Sequence, residues 1–217
     1  VAAANLRHIK RNFERTAKVP AQLAAELART TSLAHRTWAQ SRADEDVGSF
    51  LPILQKVVDL RKEEANAIAG NADPYDALLD DYEPGATSAS IGAMFANLRP
   101  RLVSLRAAIL DRPAPAALSG KFDETTQLAF STKLAQAFGY NLNNGRIDKA
   151  IHPFSSGSGL DVRITTRTNL TDPFNCFYST IHEVGHAAYE QGIDSAHLLT
   201  PLGTGVSMGV HESQSRI

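Results

Sequence analysis

The 217-residue chain has one cysteine, Cys176, and a net charge of only −1. One cysteine excludes an intrachain disulfide and points to a reducing compartment, so the expected location is cytoplasmic. Its place in an apolar run reads as a small buried residue, not a nucleophile. Without an excess of either charge there is no reason to expect nucleic acid or an anionic membrane as partner. No apolar run approaches the length of a membrane-spanning helix, and the start lacks the apolar core of a secretory signal. A methionine is missing from position 1, and the last residues fall inside an expected helix, so both ends read as cut. Internal repeats and low-complexity stretches are absent. What is there is 43% hydrophobic residues, enough for one sizeable core.

The first two thirds read as helices. Leu23, Leu27 and Ala34 recur on one face of a helix from Pro20 to about Arg42. A second runs from Val47 to about Ile68, with Leu51, Leu54, Val58 and Ala65 spaced for burial, and is broken by Gly70-Asn71-Ala72-Asp73-Pro74. Tyr75 to Asp81 is a short acidic helical turn. Ser88 to Leu110 is a helix bent or interrupted near Pro100, and Phe122 to Phe138 is a helix stopped at Gly139. The basic cluster Arg7, His8, Lys10 and Arg11 reads as a solvated helix face.

After Gly139 the texture changes. Ser155 to Gly159 reads as a flexible turn, and Asp161 to Arg167 alternates polar and apolar residues as a strand does. A lone strand is not stable, so a partner must lie elsewhere, inside or outside the chain.

Chemistry concentrates in His182-Glu183-Val184-Gly185-His186. Histidines four apart on a helix share a face, so both imidazoles reach one metal ion. Glu183 is rotated away from them and is placed instead to take a proton from water on that metal, the pattern of a zinc hydrolase of peptide bonds. Asp172-Pro173 supplies an N-cap and a first-turn proline, and Gly192 falls where a C′ glycine ends a helix. The blander alternative is a buried helix with two hydrogen-bonded histidines. A catalytic zinc takes a third protein ligand from another element. A second helix within Val206 to Arg216 offers Glu212, with His211 as the rival; two histidines plus a glutamate is a known peptidase set.

His152-Pro153-Phe154, Asp161-Val162-Arg163-Ile164-Thr165, the zinc motif and His211-Glu212-Ser213-Gln214 occur in this order and spacing. Together with Tyr75 to Gly85, they resemble the thermostable (Taq-type) metallocarboxypeptidase family along essentially the whole chain. The resemblance implies a mainly α, helical metallopeptidase fold with a deep active-site cleft and a small antiparallel sheet at its wall. It implies release of single C-terminal residues from peptides with broad specificity, in a homodimer. By this match His182, His186 and Glu212 are the ligands of zinc (cobalt is the alternative), and Glu183 is the general base and acid. Family members are about twice as long, so residues 1–217 are expected to be an internal part of one catalytic domain. Within it, 1–140 is the helical portion and 141–217 holds the strand and the metal-binding helices.

An exopeptidase also needs a cation for the substrate's terminal carboxylate. Arg163 and Arg167, alternate residues of the strand, are candidates; surface solvation or a pair with Asp161 is the alternative. His152 can donate to a substrate carbonyl or an oxyanion, or simply pack in its loop. His211 is counted with the substrate-side residues if Glu212 takes the metal. Asp161 is one possible acceptor behind the metal histidines. Two further readings stay open: an endo-acting zinc oligopeptidase, and a non-catalytic helical metal-binding fragment.

Overall fold

The computed structural model describes residues 1–216. The chain divides into two compact units, with the boundary at Gly92–Ala93. The unit Ala2–Gly92 is helical: α1 (Ala2–Lys18), α2 (Ala21–Ala43), α3 (Val47–Ala69) and the short α4 (Pro74–Leu79). A connection of three residues joins α2 to α3, and the two pack against each other. Asp46 caps α3 by accepting from the Ser49 N–H, and Asp73 caps α4 by accepting from Tyr75 and Asp76. Such caps satisfy amides that have no partner within the helix.

The interior of this unit holds Leu23, Leu27 and Ala34, as their spacing predicts, together with Ala65 and Ile68. The other expected residues of α3 behave differently. Leu51, Leu54 and Val58 are exposed, because periodicity marks an apolar face without supplying an element to cover it. Ion pairs Arg11–Asp80 and Arg15–Asp81 tie α1 to the turn after α4.

Besides three short 3₁₀ turns (Leu142–Asn144, Ser195–His197 and Pro201–Gly203), the remaining elements are α5 (Ser88–Leu110), which starts before the boundary, α6 (Glu124–Ala137), a three-stranded sheet, α7 (Pro173–Gln191) and α8 (Met208–Gln214). Helix α5 runs through Pro100 without interruption and has no buried residue. The strands are β1 (Ile147–Lys149), β2 (Ser155–Ser158) and β3 (Asp161–Thr166), ordered β1-β3-β2. Strand β2 pairs antiparallel with β3, but β1 pairs parallel, with Ile147 opposite Ile164. The small sheet is therefore mixed where an antiparallel one was expected.

Both partners of β3 lie just before it in the chain, and one is the segment read as a flexible turn. Serine and glycine have weak strand propensity, so Ser155–Ser158 becomes a strand through pairing alone. Gly157 has φ +121°, and a Cβ there would sit 2.0 Å from the Asp161 carbonyl oxygen.

Helix α7 lies at the centre of this half, packed on α6, β2 and β3. The core joins Ala135, Tyr140, Val162, Ile164, Val184 and Ala187. Cys176 is fully buried, its sulfur 3.2 Å from the Ser131 hydroxyl. No helix among the described residues is long and apolar enough to cross a membrane.

Candidate metal centre

Helix α7 starts at Pro173, which occupies a first-turn position where a missing N–H costs nothing. Asp172 makes no capping bond; instead Asn169 Oδ1 accepts from the N–H groups of Thr171 and Asp172 at 2.9 and 3.2 Å. At the other end Gly192 has φ −84°, so it does not use the left-handed conformation expected of a C′ glycine. The helix buries Cys176, Thr180, Glu183, Val184 and Ala187. That leaves His182 and His186 half-buried on the adjoining face, with Nε2 atoms 3.3 Å apart and rings at 86°.

Helix α8 brings the third donor. Ser207 caps it by accepting from Val210 N–H. Glu212 then places Oε2 3.3 Å from His186 Nε2 and Oε1 3.8 Å from His182 Nε2. One ligand atom from each of the three lies within 4.8 Å of the others. Donors about 2.0–2.1 Å from one tetrahedral ion lie about 3.3–3.4 Å from one another. The two imidazoles meet that spacing at 3.3 Å, and the carboxylate approaches them through different oxygens, Oε2 at 3.3 Å from His186 and Oε1 at 3.8 Å from His182, so the three side chains surround one point at the scale of a divalent ion. Arg216 donates to Glu212 Oε1 from Nε and Nη2 at 3.2 and 3.0 Å, which holds the carboxylate in place.

Gly185 makes the approach of α8 possible. A Cβ there would lie 2.3 Å from the Gln214 carbonyl oxygen and 2.4 Å from Ser215 Cα. The space between the two histidines' turns is thus filled by the backbone at the end of α8.

His211 is not in the ligand cluster. Its Nδ1 lies 2.7 Å from His186 Nδ1, on the far side of that ring, and its Nε2 lies 2.9 Å from Glu190 Oε1. Consecutive residues of a helix point about 100° apart, so Glu212 faces the cluster while His211 meets the back of His186. Sequence reasoning missed Glu190. The signal was present: His182, His186 and Glu190 are spaced by four along one helical face.

Glu183 is 6% exposed. Burial, and then the charge of Glu212, push its carboxyl up to about 7. Burial, and then the neighbouring His211 and His182, lower His186 and favour a neutral ring. For Glu212, burial works to raise the pKa, but His182, Arg216 and His186 together outweigh it and the net shift is downward. The cluster therefore favours an ionised Glu212 beside a neutral His186 ring, with the buried Glu183 carboxyl feeling the charge of Glu212.

The two candidate arginines have other partners. Arg163 forms a bidentate pair with Asp161, at 2.9 and 2.8 Å, which is the structural alternative considered for it. Arg167 falls one residue beyond the end of β3 and donates to Asn175 Oδ1 at 2.7 Å, so the two arginines do not share a strand face. Asp161 keeps its carboxylate on Arg163, and the groups behind His186 are His211 and Glu190. His152 is exposed in the segment between β1 and β2.

A helical chain that gathers two histidines of one helix and a glutamate of another around a single point has the features of a metal-binding protein. It belongs to the carboxypeptidase Taq (M32) metallopeptidase family, whose model matches residues 1–217. Membership implies a divalent metal and a peptide substrate for the family. The chain is 42% identical over 229 residues to thermostable carboxypeptidase 1 of Thermus thermophilus, covering 99% of this chain and 45% of the relative. To thermostable carboxypeptidase 1 of Pyrococcus furiosus it is 37% identical over 220 residues, covering 97% and 44%. Among solved structures, the M32 carboxypeptidase from Deinococcus radiodurans R1 superposes with a TM-score of 0.85 at 39% identity, covering 99% of this chain and 44% of the other. The chain thus spans somewhat less than half the length of the relatives it matches.

Proposed function

We propose that the protein carrying this chain is a metallocarboxypeptidase that releases single C-terminal residues from peptides. His182, His186 and Glu212 hold the ion, which we assign as zinc, with cobalt as the alternative. The single observation that carries this reading is the spacing of their donor atoms beside the buried Glu183, in a chain of this family. When bound, such an ion acidifies water and polarises a carbonyl.

Glu183 is the general base and then the general acid. Its carboxylate takes a proton from the attacking water and returns it to the leaving amine. Burial and the nearby Glu212 charge bring its affinity for that proton close to neutral pH, where a group serves both steps. Glu212 stays ionised because His182, Arg216 and His186 outweigh its burial, so it remains a ligand while Glu183 cycles. His152 is the candidate donor to a substrate carbonyl. Arg163 and Arg167 are the candidate partners of the terminal carboxylate, and either must first exchange Asp161 or Asn175 for it. The protein is further proposed to act in the cytoplasm as a homodimer, with residues 1–217 forming part of one catalytic domain.

The test uses the full-length protein, with metal content measured alongside cleavage of one peptide in free-acid and C-terminally amidated forms. Stoichiometric metal and release confined to the free acid support the assignment. Equal internal cleavage of both forms overturns it in favour of an endopeptidase, and absence of stoichiometric metal sinks the metal site itself.

A further inference from the structure

We infer that Glu190, acting through His211, fixes the imidazole of His186 in the tautomer whose Nε2 is bare and available to a metal. The inference rests on the assignment of His186 as a ligand and extends it to two residues behind that ligand.

The argument follows the protons. A carboxylate only accepts hydrogen bonds, so at the 2.9 Å contact with Glu190 Oε1 the proton is on His211 Nε2. With His186 as a ligand through Nε2, its own ring proton is on Nδ1, and His211 must present a lone pair on Nδ1 to receive it. That lone pair faces His186 Nδ1 at 2.7 Å, a separation that admits one proton between the two nitrogens. The proton is therefore carried by His186 Nδ1, and its Nε2 is left unprotonated toward His182 and Glu212. Reversing the chain puts a hydrogen on His186 Nε2, where an ion would bind, and sets two lone pairs against each other at Glu190. A histidine ligand that donates its other ring N–H is held in orientation and made more basic by the acceptor behind it.

The surroundings leave His211 little freedom. The ring of Tyr189 packs edge-on against it, with centroids 4.9 Å apart at 90°. A Cβ on Gly205 would sit 3.0 Å from its Cδ2, so the chain passes close over the ring and a side chain at 205 would press on it. Glu190 and His186 belong to the same helix, while His211 comes from α8. The relay consequently joins the two helices that supply the three ligands.

This makes Glu190 and His211 positioning residues, acting on metal affinity through His186. The measurement is the zinc dissociation constant of the full-length protein, from competition with a chromogenic chelator. Glu190→Ala removes the acceptor and is expected to weaken zinc about tenfold or more. Glu190→Gln keeps an oxygen that can accept from His211 Nε2 and is expected to recover most of that loss. In a His211→Phe background, Glu190→Ala should cost little further, because the two residues act in series.

Three results overturn the relay: unchanged zinc affinity in Glu190→Ala, an equal loss in the Gln and Ala variants, or full additivity with His211→Phe. His186→Ala is the control that separates the two ideas. If it abolishes zinc binding while Glu190→Ala has no effect, the ligand assignment stands and the relay falls. If the unaltered protein binds no zinc, both fall.

Discussion

The carbonyl oxygen of Gln214 lies 2.3 Å from where a Cβ on Gly185 would stand. The residue between the two metal-face histidines is therefore a point of backbone contact between α7 and α8, and Glu212 reaches the cluster because that contact is close. Gly185→Ala raises helix propensity by about 1 kcal/mol in isolation. Here the added methyl meets backbone and pushes α8 outward, an overpacking cost of about 1–3 kcal/mol. The expected outcome is a lower melting temperature with weaker metal binding, read by thermal denaturation with and without added zinc. Unaltered metal affinity would disconnect the glycine from the site.

Glu183→Gln keeps the shape of the side chain and removes the carboxylate proposed to accept the proton. Turnover should fall by about 10²–10⁴-fold, while metal content stays near that of the parent. Loss of metal together with activity would mean that Glu183 acts as a ligand and not as a base.

Removing the metal should loosen α8. This seven-residue helix is mostly exposed, and its polar links to α7 are Glu212, facing His182 and His186, and His211, facing His186 and Glu190. At a free metal concentration about 100 times the dissociation constant, binding adds about 2.7 kcal/mol of stability. Chelation is expected to lower the melting temperature and to speed amide exchange in residues 208–214 more than in α6.

Tyr140 offers a pH test away from the metal. Its hydroxyl is buried and donates to the carbonyls of Val162, at 2.6 Å, and Arg146, at 3.1 Å. Burial above all, with Asp161 and Asp148 adding to it, pushes its pKa from the ordinary 10.0 up to about 12. The folded state thus favours the neutral phenol. Its contribution is complete below the unfolded pKa and is lost as pH rises through the window between 10 and 12. Tyr140→Phe should destabilise by about 1–3 kcal/mol at neutral pH, and its deficit should shrink across that alkaline window. A deficit independent of pH would place the effect in packing alone.

Much of the helical layout is readable in the sequence, because periodicity and caps are local. Leu23, Leu27 and Ala34 are buried as spaced, and α7 ends within one residue of its expected limits. The metal pair is readable for the same reason: a helix brings residues 182 and 186 together wherever it lies. The sheet was only partly legible. Residues 161–166 carry their own strand signal, whereas Ser155–Ser158 and Ile147–Lys149 acquire strand structure from pairing with them. For Leu51, Leu54 and Val58 the spacing marked an apolar face, but burial depends on what covers that face.

By itself, then, the sequence determined the helices, the shared face of His182 and His186, and the place of Glu183 beside them, all consequences of a 3.6-residue period. The choice between His211 and Glu212 belongs to the tertiary structure. Both sit on one short helix, and only the angle and closeness of its crossing at Gly185 decide which of them meets the front of His186 and which the back. The same crossing sets His211 between Glu190 and His186, a contact that a spacing of four along one helix does not reveal.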